Sequence, residues 1–293
     1  MKKTIGEKTF TFLGYIILIF FSLLCVLPLL FILSGSFSSE TSVIKYGYGL
    51  IPQDFSIDAY KLAFKNPSDI FNAYYISIFV VAVGTTVGLF LTAMTGYVLS
   101  RKDFKYRNIF SFLIYFTSVF SGGLVPWYIM MVQYLHMKNS ILSLILPLLL
   151  NVFYIIVMKS FMTAIPFEII ESAKIDGCNE FSIYIKIVLP VSKAALTTIG
   201  VFMALGYWND FFCAMLFITN ENLLPLQYYL YRLVNTAEAL NRVAEMTGIA
   251  VQDMPKETLK LAMTVLVVFP IMCVYPFAQR NIVGGITLGA VKG

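Results

Sequence analysis

Residues 171–190 read ESAKIDGCNEFSIYIKIVLP. Carboxylates, one glycine and a closing Leu-Pro stand together here in a chain that is otherwise strongly apolar. Of its 293 residues, 59% are hydrophobic and only 13% charged, with a mean hydropathy of +0.80. No soluble core needs that share of apolar material, so the bilayer is the expected solvent and residues 171–190 mark a place where the chain leaves it.

Working outward, a spanning helix needs about 20 mostly apolar residues. Six stretches qualify: 11–33, 71–99, 108–132, 141–163, 191–218 and 258–278. Several hold an internal Gly or Pro, which membrane helices tolerate because neighbouring helices and waters satisfy the freed backbone groups. The start, MKKTIGEKTF followed by a long apolar run, reads as an uncleaved first span, because the run exceeds a secretory h-region and no small-x-small cleavage site follows it. Lys2, Lys3 and Lys8 flank that span, and Arg101, Lys102, Lys105 and Arg107 lie between spans two and three. Basic residues favour the cytoplasm, so both flanks fall inside, and six spans return the C-terminus to the same side. Outer segments, counting Lys260 at the start of the sixth span, carry eight of the 21 Lys and Arg residues. The expected organisation is a cytoplasmic N-terminus (1–10), a six-span domain (11–278) with a cytoplasmic loop at 164–190 and an outer segment at 219–257, and a cytoplasmic tail (279–293).

Within the loop, Pro166 suits a first helical turn, and Glu168 and Glu171 sit early, where carboxylates meet the positive end of a helix dipole. Gly177 suits a left-handed stop. Asn179 is a plausible cap for a second helix, in which Phe181, Tyr184, Ile185 and Val188 form an apolar stripe before Pro190. The spacing thus predicts a helix–Gly–helix hairpin held by two spans. Such a hairpin either caps the bundle or presents a rigid knob to a cytoplasmic partner.

The segment resembles the coupling motif of ATP-binding cassette (ABC) importer permeases: Glu-Ala-Ala, three residues, Gly, nine residues, then Ile-x-Leu-Pro. Here it reads Glu171-Ser172-Ala173, Gly177, Ile187-Val188-Leu189-Pro190, with a small-for-small change at Ser172. GYWNDFF (206–212) and the glycine-rich GGITLGAVKG (284–293) resemble the carbohydrate-importer branch, in particular the smaller maltose-type permease. FSGGLVPWYIM (120–130) and the run 255–280 are similar to a subgroup of polysaccharide-oligomer permeases linked with uronic-acid-containing sugars. The resemblance covers nearly the whole chain. It implies an all-α membrane protein of the type I ABC importer permease fold, with six transmembrane helices and a cytoplasmic coupling hairpin, in a bacterial plasma membrane.

The resemblance also implies partners: a second homologous permease, two copies of an ATP-binding cassette ATPase, an extracellular solute-binding protein and an oligosaccharide substrate, all in contact with membrane lipid. Nucleic acid is not among them, since the basic balance reflects cytoplasmic flanking residues. The chain has no G-x-x-x-x-G-K-[ST] loop, so no cofactor is expected in it; ATP and Mg²⁺ belong to the ATPase subunits, and the chain is expected to be no enzyme. By the resemblance, Glu171 meets a socket rim on the ATPase, Ala173 permits close approach and Gly177 makes the turn, with Asp176 beside it. The tail glycines 284, 285, 289 and 293 either enter the ATPase interface or stay solvated.

The translocation path is sought among polar and aromatic residues inside spans. A carboxylate at membrane depth is expensive, so Asp210, with Trp208 and Asn209, either lines a sugar path or ties helices together; the second reading is preferred. Trp127 and Tyr128, beside Gly122, Gly123 and Pro126, either line a broken helix or mark a membrane interface. Gly84-Thr85-Thr86-Val87-Gly88 has the small-xxx-small spacing of close helix packing. Cys25, Cys178, Cys213 and Cys273 form no disulfide or metal pattern, and His136 falls in a short outer loop. A permease for another solute and a carrier working alone are the competing functions. Sparse intramembrane ionisable groups disfavour the carrier.

Overall fold

The computed structural model describes residues 5–247 and 255–290. Among these the regular structure is helical, with one isolated antiparallel bridge between Ser38 and Phe55. Three helices are unbroken and apolar enough to cross a membrane, over Phe10–Ser36, Pro67–Ser100 and Glu257–Pro276. Counting each of three bent pairs as one span gives up to six: Arg107–Val119 with Leu124–Tyr134 at 111°, Leu142–Leu148 with Val152–Thr163 at 51°, and Glu180–Val191 with Lys193–Asn209 at 83°, the last pair beginning in the second arm of the polar loop rather than at residue 191 as expected.

The chain divides into two compact units. The first comprises residues 1–67 and 230–271. It opens with α1 (Ile5–Ser36), whose apolar run carries Pro28 without ending. Two short helices follow, α2 (Glu40–Tyr46), capped by the Ser39 hydroxyl, and α3 (Asp58–Ala63). Phe37 stacks on Phe55 and on Tyr60, with ring centroids 5.8 and 4.9 Å away, and the Ser36 and Tyr60 hydroxyls lie 2.8 Å apart. Glu40 reaches the start of the last helix, accepting from the backbone N–H groups of Glu257 (2.8 Å) and Thr258 (2.9 Å) and from the Thr258 hydroxyl. A carboxylate satisfies the orphan donors of a helix N-terminus and meets its dipole favourably. Residues Leu226–Thr247 form one helix, from which Glu238 pairs with Lys260 at 2.9 Å.

The second unit, residues 68–229 and 272–293, carries the loop from which the sequence argument began. Its backbone is α4 (Pro67–Ser100), whose glycines let other helices come close. A Cβ added at Gly88 meets the Leu149 carbonyl oxygen at 2.8 Å, and one at Gly96 meets the Lys159 nitrogen at 3.0 Å. The helices that follow are α5 (Arg107–Val119), α6 (Leu124–Ile129) continuing as a π turn over Met130–Tyr134, α7 (Leu142–Ile145) and α8 (Val152–Thr163). Then come α9 (Phe167–Ile175), α10 (Glu180–Ile183) with a π turn over Tyr184–Val188, α11 (Leu189–Val191), α12 (Lys193–Asn209) and α13 (Phe212–Phe217). The last two, α14 (Leu226–Thr247) and α15 (Glu257–Ala290), begin in one unit and end in the other.

Two further features differ from the sequence reading. The fifth span, read as one helix over 191–218, ends at Asn209 and restarts at Phe212, because Asp210 adopts an extended backbone and its carboxylate accepts from the Cys213 N–H at 3.3 Å. An Asp side chain that can bond nearby backbone competes with helix continuation. The tail glycines 284, 285 and 289 lie within α15, which runs to Ala290, while Gly293 lies outside the described residues.

Candidate functional site

The hairpin forms for the reasons its sequence suggests. Helix α9 starts after Pro166 and ends at Ile175. Gly177 then takes φ +80°, the left-handed conformation expected of it. Its N–H donates to the Lys174 carbonyl and that of Cys178 to the Ala173 carbonyl, each at 3.0 Å, a paired closure that satisfies the last carbonyls of the helix. Asn179 caps the second arm, its side-chain oxygen accepting from the Ser182 N–H at 2.7 Å.

One side of the hairpin is sunk into its own unit. Ile170, Ala173, Ile183, Tyr184 and Val188 join a buried cluster with Ala93 and Tyr97 of α4, Met158 and Met162 of α8, and Ala195, Ile199 and Met203 of α12. The Tyr184 hydroxyl donates to the Phe90 carbonyl at 2.8 Å, and its ring stacks on that of Tyr97. The other side is open. Glu171, Ser172, Asp176 and Gly177 are exposed, as are Ile175 (85%) and Phe181 (62%). Ile187 and Leu189 are half-buried and Pro190 is exposed.

Two sequence expectations are corrected here. Ala173, expected to allow close approach by a partner, is 6% exposed and packs inside its own chain, so the approach it permits is that of α9 to α4, α8 and α12. The stripe of Phe181, Tyr184, Ile185 and Val188 splits, with Tyr184 and Val188 buried and Phe181 and Ile185 exposed. A π turn spreads five residues where an α turn has fewer, so the 3.6 period that defined the stripe fails over 184–188.

Sequence reasoning also missed a charged cluster at the base of the hairpin. Arg101 is only 6% exposed. Its guanidinium pairs with both carboxylate oxygens of Asp103, donates to the Tyr97 hydroxyl at 2.9 Å and approaches Glu180 at 3.4 Å. Its charge lies 5.6 Å from the centre of the Phe167 ring. Lys174 of α9 pairs with Glu180 of α10 at 2.7 Å, bracing one arm against the other, and reaches Asp103 at 3.4 Å. The Arg101 guanidinium holds the Asp103 carboxyl well below the usual carboxylate range, against the opposing effect of burial. Burial pushes Glu180 up, but the Lys174 hydrogen bond, the Arg101 charge and the Tyr97 hydroxyl outweigh it and leave Glu180 lowered. From sequence Arg101 signalled only membrane orientation; nothing local ties it to a residue 79 positions away.

The path candidates fall into two groups. Asp210 caps α13, while Asn209 donates to the Leu205 carbonyl at 2.9 Å and accepts from Gln227 at 3.3 Å. Trp208 is buried. Those bonds tie neighbouring elements together. Trp127 and Tyr128 follow the break at Phe120–Gly123 and are half-buried, both packed on Phe217, with centroids 5.1 and 5.9 Å away. Nearby, Asn139 has φ +56° and clamps the short loop before α7 to the end of α13: its side-chain oxygen accepts from Thr219 N–H (2.7 Å) and Asn220 N–H (2.9 Å).

Known proteins share this sequence and fold. The profile of the family described as "binding-protein-dependent transport system inner membrane component" matches residues 84–287. The polygalacturonan/rhamnogalacturonan transport system permease protein YtcP of Bacillus subtilis is 38% identical over 287 residues, 98% of this chain and 99% of that protein. Protein LplC of the same organism is 38% identical over 270 residues, 92% of this chain and 90% of that one. A chain in the crystal structure of a bacterial ABC transporter involved in the import of the acidic polysaccharide alginate superposes with a TM-score of 0.78 at 28% identity, covering 96% of this chain and 99% of that one.

Proposed function

The chain belongs to the family of binding-protein-dependent transport system inner membrane components, and from that premise we propose that it forms half of the membrane pathway of an ABC importer for an acidic, uronate-containing oligosaccharide. The other half is a second, homologous permease. An extracellular binding protein delivers the sugar, and two ATPase subunits hold ATP and Mg²⁺. Both termini lie on the cytoplasmic side. The substrate class is supported by the sugars named for YtcP and for the alginate transporter.

The hairpin carries this reading. Its inner side is packed through Tyr184, Ile183 and Val188 against the helices beneath it, which anchors the tip to them. Its outer side offers Glu171, Asp176, Ile175 and Phe181 to a partner. The exposed apolar residues give a socket something to desolvate, and Glu171 gives it a charge to orient. When two ATPase subunits close over ATP, the docked hairpin is carried as a rigid body and the spans rock from inward-open to outward-open. The sugar crosses intact, and this chain contributes no bond-breaking group.

The test is co-purification. Tagged full-length chain is extracted from its native membrane in mild detergent, as wild type and as Glu171→Lys. Wild type is expected to retain a second permease and an ATPase, and the variant to keep the permease but lose the ATPase. Recovery of the chain alone in both cases sinks the reading and favours a carrier working by itself.

A further inference from the structure

Resting on the hairpin as the docking element, a second question is what joins it to the spans. Apolar packing resists separation but slides readily, because dispersion and hydrophobic contacts have no preferred direction. A planar guanidinium with several fixed donors does not slide: each bond has a required angle, and breaking one strands a desolvated charge. We propose that Arg101 is a positioning residue that locks the hairpin to the end of α4, so that the two move as one lever during transport.

Three observations carry this. First, Arg101 follows the last residue of α4 directly and its side chain is almost wholly buried, which is unusual for an arginine that merely marks the cytoplasmic face. Second, its donors go in different directions: back to Tyr97 on α4, forward to Asp103 in the following loop, and across to Glu180 at the start of the second hairpin arm. Tyr97 closes the triangle by donating to the second Glu180 oxygen at 3.1 Å. Third, Lys174 makes the same two carboxylates reach the first arm, so both arms of the hairpin are tied to one point. Arg101 is buried but its partners Asp103 and Glu180 are 45% and 58% exposed, so solvent screens the pairs and their contribution to folding energy is small, whereas the geometry they impose remains specific. The lock therefore serves register more than folding energy.

The experiment uses the full chain co-expressed with its partner subunits in lipid nanodiscs or proteoliposomes, as wild type, Arg101→Met, Glu180→Gln and the double variant. Glu180→Gln keeps shape and serves if Arg101→Met fails to accumulate. Three quantities are read: amide hydrogen exchange over residues 178–184, the ATPase retained on purification, and ATP hydrolysed per labelled galacturonic-acid oligomer taken up. Each single variant is expected to speed exchange about tenfold and the double variant by clearly less than the product of the two, because both remove the shared Arg101–Glu180 contact while each also removes contacts of its own. ATPase retention is expected to stay unchanged while ATP used per sugar rises severalfold, which loss of packing alone does not produce with the ATPase still docked. Unchanged exchange in the singles, strictly additive effects, or an unaltered ATP-to-sugar ratio overturns the inference. If wild type retains no ATPase, the docking reading fails instead; if it takes up no oligomer, the substrate reading fails. In either case the exchange and its additivity decide whether Arg101 is a lock.

Discussion

Gly177 is held at φ +80° and no atom lies within 4 Å of where its Cβ would be. Space is therefore no obstacle to a side chain there; the backbone alone is. Gly177→Ala is expected to cost about 1 kcal/mol and Gly177→Asn less, since Asn tolerates the left-handed region. Thermal unfolding of the purified chain checks this, and equal midpoints for Ala and wild type contradict it. Asp103 and Glu180 are both lowered in the folded chain, so the stability they supply is complete above the ordinary carboxylate values and is lost as pH falls through the depressed ones. Amide protection of the hairpin is expected to stay level from about pH 8 to about pH 5 and to weaken only below about pH 4. A decline beginning near neutrality contradicts that assignment. At this scale the sequence was legible where chemistry is local, as at Gly177 and Asn179, whose turn and cap need only near neighbours. It was silent on Arg101, whose partners come from three separate stretches of chain.

Among elements, the glycine face of α4 was readable from Gly84 and Gly88, and the structure shows what it admits. The backbone carbonyl of Leu149, at the break between α7 and α8, sits where a Gly88 side chain would go. Backbone cannot step aside as a side chain can, so Gly88→Val is expected to destabilise by about 1–3 kcal/mol. It should show as a lowered melting temperature and a smaller monodisperse yield in detergent; a variant that melts with wild type refutes the packing. Breaks within spans were far less legible. An apolar window counts residues and is blind to direction, so the bends of 111°, 51° and 83° left no mark in hydropathy. Gly122, Gly123 and Pro126 hinted at the first. The π turn at 184–188 had no signal at all, and it changed which residues of the second arm face inward.

For the whole molecule, the family was legible because spacing survives where individual residues drift, as the Ser172 change illustrates. Which helices enclose a path was not, because the pathway belongs to an assembly and one chain's sequence specifies only its share. If transport depends on separate ATPase subunits, deleting the gene for the retained ATPase should abolish uptake of the labelled oligomer, and persistence of uptake points to a self-sufficient carrier. The broken third span carries a further consequence, for how the protein is made. Helix α5 has 13 residues and is about 20 Å long, short of the roughly 30 Å that a bilayer core demands. During synthesis, insertion machinery meets the greasy run 108–132 before the fourth span exists. The partner that later braces α5, Lys159 donating to Ser111 at 2.9 Å, belongs to the fourth span and emerges afterwards. The run is thus recognisable as apolar before that contact exists, and the contact that holds α5 against α8 can form only once the next span has arrived.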